Sequence, residues 1–133
     1  MKKDIAIRPM EYVGVAAVAP DVAGEELWDI YLFNFQDIAI RNILVTSRGY
    51  GIVDGEQLET SSLRYFIDNL GALEFTKVEP IHIELFGLNN EYWVSFQSHD
   101  YMYDKKFTFV ANSIPEAELT LIPFLNKMGY MIQ

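Results

Sequence analysis

Residues 91–111 read EYWVSFQSHDYMYDKKFTFVA and contain the clearest fold signal in the chain. In the first half, large apolar side chains occupy every second position: Tyr92, Val94 and Phe96. After a polar segment at 98–100, alternate positions are again aromatic, with a single break at Lys105: Tyr101, Tyr103, Phe107 and Phe109. Successive side chains of a β-strand point to opposite faces, so the pattern predicts two antiparallel strands joined as a hairpin with one apolar face.

Similar strand patterns occur along the rest of the chain, at residues 12–18, 27–35, 43–47, 50–53, 56–59 and 78–86. Segment 27–35 is apolar in both phases, which is typical of a central strand covered on both sides. Asp54-Gly55 separates two of the strands and favours a tight hairpin turn. In segment 78–86 the alternation places Ile81, Ile83 and Leu85 inward. Pro80 lacks an amide donor and indicates a strand start, a bulge or a sheet edge.

Two segments have patterns that fit both a helix and a strand. Residues 63–70 have helical spacing of apolar side chains, with Ser62 as a cap and Gly71 as a stop, and this favours a short helix. A strand would instead place Leu63, Tyr65 and Ile67 on one face. Residues 124–128 fit a short helical turn between Pro123 and Gly129.

These patterns together predict a mainly β fold. We expect an antiparallel β-sandwich or a partly closed barrel of seven to eight short strands with one or two short helices. An α+β fold is the alternative if both ambiguous segments are helical. No repeat or linker divides the 133 residues, so we expect a single domain spanning 1–133.

Composition disfavours several classes of function. The chain contains no cysteine, which excludes disulfides, thiolate catalysis and cysteine-based metal sites. Its net charge is −9 and its basic residues are scattered, so binding to nucleic acid or to an anionic membrane is not expected. No apolar run approaches the roughly 20 residues that a membrane-spanning helix needs.

The N-terminal sequence bears on localisation. Lys2, Lys3 and Arg8 precede a short apolar stretch at 13–19, an arrangement that loosely resembles a secretion signal. Asp4 and Glu11 interrupt it, and a buried strand explains the apolar stretch more simply. We therefore expect a cytoplasmic protein.

Residues that bind metals or catalyse reactions are sparse. His82 and Glu84 lie two apart on one predicted strand and share a face, and His99 offers a third ligand for a metal ion. A polar outer strand face and a polar turn explain the same three residues without a metal. No nucleophile elbow is present, so no catalytic residue and no cofactor are predicted.

Aromatic and arginine side chains provide candidate binding residues. Arg48-Gly49-Tyr50-Gly51 is the richest glycine site. It fits a β-bulge or tight bend, but arginine and tyrosine are also favoured in binding hot spots. Trp93, Tyr101 and Tyr103 are further candidates, as a contact patch or a stacking platform.

Three functions follow as hypotheses. The first is a non-enzymatic protein-binding or assembly module that uses sheet edges or the tyrosine-rich hairpin, with a homodimer as its simplest form. The second is a small-ligand or carbohydrate-binding β-domain, which a pocket lined by Trp93 or Tyr50 beside Arg48 would favour. The third is a metal-assisted enzyme that uses the two histidines.

Overall fold

The computed structural model describes residues 12–114 and 118–133, which form ten β-strands and one 3-10 helix. In chain order the elements are β1 (Val13–Val18), β2 (Leu27–Asn34), β3 (Ile40–Val53), β4 (Glu56–Glu59), β5 (Leu63–Leu70), β6 (Phe75–His82), the 3-10 helix (Ile83–Gly87), β7 (Asn89–Ser98), β8 (Tyr101–Phe109), β9 (Thr120–Ile122) and β10 (Lys127–Ile132).

The strands form two five-stranded sheets in which all neighbours are antiparallel. The first sheet has the order β6-β2-β1-β10-β9. In the second sheet, β7 lies between β3 and β8, and β4 and β5 pair with successive parts of the 14-residue β3. Among the described residues no pairing joins the two sheets. The predicted antiparallel β-sandwich is therefore confirmed, and the α+β alternative is wrong.

The number of strands exceeds the seven or eight that the sequence predicts. The segments expected as separate strands at 43–47 and 50–53 are parts of one long strand, β3. The additional strands are β5, β9 and β10, which lie in segments that the sequence pattern left ambiguous or unassigned. Pro80 lies on β6 at the edge of the first sheet, as its missing amide donor indicates.

The main core lies between the sheets and follows the predicted alternation. β7 and β8 form the hairpin expected from residues 91–111, with Tyr92 opposite Phe107 and Phe96 opposite Tyr103. The inward side chains of this hairpin meet buried aliphatic side chains from β1 and β2 of the first sheet: Val13, Val15, Ala17, Ile30 and Leu32. Burial of these apolar groups is the main free-energy gain that holds the sheets together.

A second apolar cluster covers the opposite face of the first sheet. Phe33 on β2 is fully buried there, and its ring stacks on Phe35 with centroids 5.6 Å apart. Phe75 and Phe124 contribute further rings to the same group. The two-sided apolar pattern of residues 27–35 is thus confirmed, because β2 is a central strand covered on both faces.

The helix predicted at residues 63–70 is wrong, because this segment is strand β5. It pairs antiparallel with residues 40–47 of β3, which would otherwise present an open edge. Its inward phase contains Tyr65 and Ile67, which pack against the core, while Phe66 points outward and is 63% exposed. An edge strand with an exposed apolar residue produced the helix-like spacing.

Two other segments also differ from the prediction. The strand expected at 78–86 ends at His82, where the ring Nδ1 accepts a hydrogen bond from the Glu84 amide at 3.1 Å and caps the 3-10 helix. The helical turn expected at 124–128 is also wrong: residues 124–126 lie in the turn between β9 and β10, and residues 127–128 begin β10. Phe124 and Asn126 have positive φ angles, which a helix does not allow.

The bend expected at Arg48-Gly49-Tyr50-Gly51 is also wrong, because β3 continues through these residues without a register shift. Gly49 leaves little space for a side chain there, since a Cβ would lie 3.2 Å from Asn90 Oδ1 and from Thr60 Cγ2. The Asp54-Gly55 turn is confirmed, since it joins β3 to β4 and both residues have positive φ angles. Two positive φ angles are what the tight turn favoured by Asp-Gly requires.

Candidate functional site

The outer face of the second sheet brings together three of the residues singled out by sequence. Arg48 and Tyr50 lie two apart on β3, so both side chains point away from the core. Trp93 on β7 pairs with Thr46, which lies two residues before Arg48 and shares its face. The unbroken course of β3 and the register of β7 together place Arg48, Tyr50 and Trp93 on one surface.

Charged and aromatic groups on this surface form one connected network. The Arg48 guanidinium donates from Nη1 to Glu59 Oε2 at 3.0 Å and from Nε to Glu91 Oε2 at 3.4 Å. It also lies over the ring of Tyr50, 4.6 Å from the centroid. Lys106 Nζ lies 3.9 Å from Glu91 Oε1 and 5.0 Å from the centroid of the Trp93 indole.

The network fixes the position of the Arg48 side chain. Partial desolvation lowers the pKa of Arg48, but attraction to Glu91 and Glu59 outweighs it and raises this pKa above its usual value. The guanidinium therefore stays charged, and contacts on three sides hold its planar donor fork in place.

A cleft lies beside this network at the β3–β4 hairpin. Its volume is about 610 Å³, and its lining includes Arg48, Tyr50, Gln57, Glu59 and Asn89. These side chains supply donors and acceptors, while Ile52 and Leu58 add apolar surface. We call it the Arg48 cleft. Polar side chains outnumber aliphatic ones in this lining, so the cleft suits a polar ligand better than the mostly apolar ligands of typical small-molecule pockets.

Tyr101 and Tyr103 lie elsewhere, at the tip of the β7–β8 hairpin. Tyr103 points inward and its ring stacks on Phe96 at 5.6 Å, whereas Tyr101 is 41% exposed. Tyr101 pairs with Ser98, at the opposite end of β7 from the residues that pair with Arg48 and Tyr50. The structure therefore separates the hairpin tyrosines from the Arg48 cleft.

The three candidate metal ligands are not brought together. His82 ends β6 and contacts Glu26, with Nε2 and Oε1 3.0 Å apart, while Glu84 Oε1 lies 3.7 Å from His82 Nδ1. His99 lies in the turn that follows β7. His82 caps the 3-10 helix that comes just before β7. The two histidines are therefore at opposite ends of this ten-residue strand. Within residues 12–114 and 118–133, no group of three or more His, Asp and Glu is arranged to hold a metal ion.

A buried polar cluster between the sheets was not predicted from the sequence. Glu79 of β6 is only 9% exposed and accepts hydrogen bonds from Tyr65 (2.5 Å) and Ser47 (3.3 Å) at Oε1 and from Tyr92 (2.6 Å) at Oε2. The alternation that places Ile81 inward also places Glu79 inward, so the sequence pattern could have indicated that this carboxylate is buried.

The two tyrosines of this cluster keep their protons to high pH. Desolvation, followed by the hydrogen bond and charge of Glu79, raises the pKa of Tyr65 to about 12. Desolvation and the charge of Glu79 also raise the pKa of Tyr92 well above its usual value. Both hydroxyls are therefore donors to the carboxylate at neutral pH.

Comparison with known proteins found no family model, no curated protein and no solved structure that matches this chain. In the part of the chain that the structure describes, no helix has the length and apolar character needed to cross a membrane.

Proposed function

We propose that this protein is a small-ligand-binding β-sandwich domain that binds a neutral, hydroxyl-rich molecule, such as a carbohydrate, in the Arg48 cleft. The observation that carries the proposal is the cleft itself, with a fixed guanidinium beside the Tyr50 ring. Its volume of about 610 Å³ is within the range of roughly 300–1,000 Å³ that small-molecule sites occupy.

Charge balance around the cleft favours a neutral ligand. Arg48 and Lys106 are matched by Glu59 and Glu91, and each cation already contacts a carboxylate. An ionic ligand would compete with these existing pairs for the same groups. A ligand with hydroxyl groups would instead use the remaining lone pairs and N–H groups without separating an ion pair.

The Tyr50 ring supplies the apolar part of the contact, because it lines the Arg48 cleft. Trp93 is 47% exposed on the same face, but it does not line the cleft. The faces of aromatic rings carry negative charge density, so they attract the weakly positive C–H groups of a sugar ring. The combination of a planar donor, Arg48, and one aromatic ring, Tyr50, in the cleft therefore supports recognition of a carbohydrate.

The proposal can be tested by titrating the full chain with a panel of neutral monosaccharides and oligosaccharides. Tryptophan fluorescence and amide chemical shifts in NMR spectra would report binding. We expect at least one saccharide to give saturable shifts at Arg48, Tyr50 and Asn89. Tyr50→Ala should weaken that binding about tenfold, which corresponds to about 1.4 kcal/mol.

The matched control is Phe66→Ala, which removes an exposed ring from the same face without altering the lining of the cleft. Its saccharide affinity should equal that of the unaltered protein. The proposal is rejected if no saccharide in the panel binds saturably, or if Phe66→Ala and Tyr50→Ala have the same effect.

Self-association is a second candidate function, favoured by the exposed pair of Phe66 on β5 and Leu44 on β3. The two side chains are cross-strand neighbours and form an apolar patch on the outer face. Size-exclusion chromatography with light scattering tests it, with Phe66→Ser expected to reduce any dimer. Tyr101→Ser, at the tip of the hairpin, is the control and should leave any dimer unchanged. A strict monomer at high protein concentration would rule out self-association.

A further inference from the structure

A second and smaller cavity lies between the two sheets, next to the buried carboxylate. Its volume is about 220 Å³, and Glu79, Tyr92 and Ser47 line its polar side. Leu63 and Leu85 line it as well and give it an apolar wall. We call it the Glu79 crevice. Arg48, Thr60, Ser61 and Asn90 also line it, and the charge of Arg48 is matched by its ion pairs with Glu59 and Glu91. Glu79 is therefore the charge of the crevice that a ligand could still pair.

The Glu79 carboxylate has no cationic partner. No lysine, arginine or histidine of the described residues lies within ion-pair distance of it. Three hydroxyl groups replace part of the hydration that the carboxylate loses on burial. Neutral donors compensate a buried charge less completely than a cation does, so the site remains electrostatically favourable for a positive group.

The hydrogen-bond geometry leaves one acceptor position open. An ionised carboxylate offers about four lone-pair positions, two on each oxygen. Among the described residues, Oε1 accepts from Tyr65 and Ser47, whereas Oε2 accepts from Tyr92 alone. By this count one acceptor position on Oε2 is unfilled in a side chain that lines the Glu79 crevice.

We propose that the Glu79 crevice binds the ammonium group of a small primary amine, with Glu79 Oε2 as the acceptor and Leu63 and Leu85 against its alkyl chain. The volume of about 220 Å³ limits the size of the ligand. A protein cavity of roughly 150 Å³ holds one benzene molecule, so an amine with three to five carbon atoms has a suitable size. This inference depends on a different acceptor from the saccharide proposal, although Arg48 lines both cavities.

The test is an NMR titration of the full chain at neutral pH with n-butylammonium chloride. Sodium chloride at equal ionic strength and n-butanol are the reference titrations for charge and for the alkyl chain. We expect saturable amide shifts at Ser47, Ser61 and Glu79 with the amine alone. Equal shifts with n-butanol or with sodium chloride would overturn the proposal.

Two variants separate charge recognition from a purely structural role of the carboxylate. Glu79→Gln should weaken n-butylammonium binding about tenfold or more. Glu84→Gln is the matched control, because it removes an exposed carboxylate five residues away, and its affinity should not change. Equal affinity of Glu79→Gln and the unaltered protein would refute the assignment of Glu79 as the acceptor.

A third variant keeps the proposal testable if Glu79→Gln does not fold. Tyr65→Phe removes one donor from the carboxylate and leaves its charge in place, so n-butylammonium should bind several-fold more tightly. Unchanged or weaker binding would contradict the proposal. Gln57→Ala, which changes a residue that lines the Arg48 cleft but not the Glu79 crevice, should leave amine binding unchanged, so failure of one proposal is distinguishable from failure of the other.

Discussion

Tyr92→Phe is the substitution that most directly tests the buried cluster. It removes one hydroxyl group and keeps the ring, which packs edge-on against Phe109 at 5.9 Å. The hydroxyl donates to Glu79 Oε2 at 2.6 Å in a fully buried position. The lost interaction is therefore one charge-assisted hydrogen bond, with little change in packing.

The expected loss of stability follows from that bond. Hydrogen bonds to charged groups contribute about 1.5–3 kcal/mol to the free energy of unfolding, and the remaining carboxylate oxygen would be left without its donor. A loss of about 2 kcal/mol is the middle of this range. Unfolding entropy grows in proportion to chain length, so for a domain of this size a loss of about 2 kcal/mol should lower the melting temperature by about 7 °C.

Urea unfolding at pH 7, followed by circular dichroism, measures the free energy, and calorimetry measures the melting temperature. Tyr130→Phe is the matched control, because Tyr130 packs against Phe109 without a hydrogen bond to a carboxylate in the described residues. Its stability should change by no more than about 0.5 kcal/mol. A Tyr92→Phe protein as stable as the control would show that the reasoning about Glu79 is incorrect.

Three further predictions concern stability. The pKa of Tyr65 is about 12 in the folded protein against about 10 in an unfolded chain. Its contribution to the free energy of unfolding is therefore constant below pH 10 and is lost as pH rises from 10 through 12. In urea titrations, Tyr65→Phe should reduce this loss of stability at high pH. Gly129→Ala should cost about 1–3 kcal/mol, because its Cβ would lie 2.5 Å from the Ala17 carbonyl oxygen. Gly87→Ala, whose Cβ would meet only Asn112 Oδ1 at 3.9 Å, serves as the mild comparison in thermal melts. Phe33→Ala should cost about 3–5 kcal/mol in chemical denaturation, and a loss below about 1 kcal/mol would mean that the outer cluster of the first sheet is not a true core.

Much of the fold was predictable because strands with one buried face alternate regularly. The hairpin at 91–111 and the Asp54-Gly55 turn were both assigned correctly from local patterns. Edge strand β5 was not, since Phe66 is exposed and the alternation is therefore irregular. The pairing of β5 with β3 is a tertiary interaction, which local spacing does not encode.

The candidate site was predictable only in part. Arg48 and Tyr50 share a face in any regular strand, so their proximity follows from spacing alone. Trp93 joins them through the register between β3 and β7, which a single sequence does not specify. Tyr103 lies on the inward face of its strand, where its ring packs on Phe96. It is therefore not available as a binding residue on the surface.

The buried cluster at Glu79 shows how an error in one element conceals a site. If residues 63–70 were a helix, Tyr65 would not be aligned with the inward side chains of β3, and the carboxylate would lose its shortest hydrogen bond. Glu79 belongs to the first sheet, whereas all three donors belong to the second. A shift of one sheet relative to the other would therefore leave a buried charge without its donors, which costs several kcal/mol. We expect this cost to favour a single relative position of the sheets, the one in which Glu79 of the first sheet and Ser47 and Tyr92 of the second line one crevice.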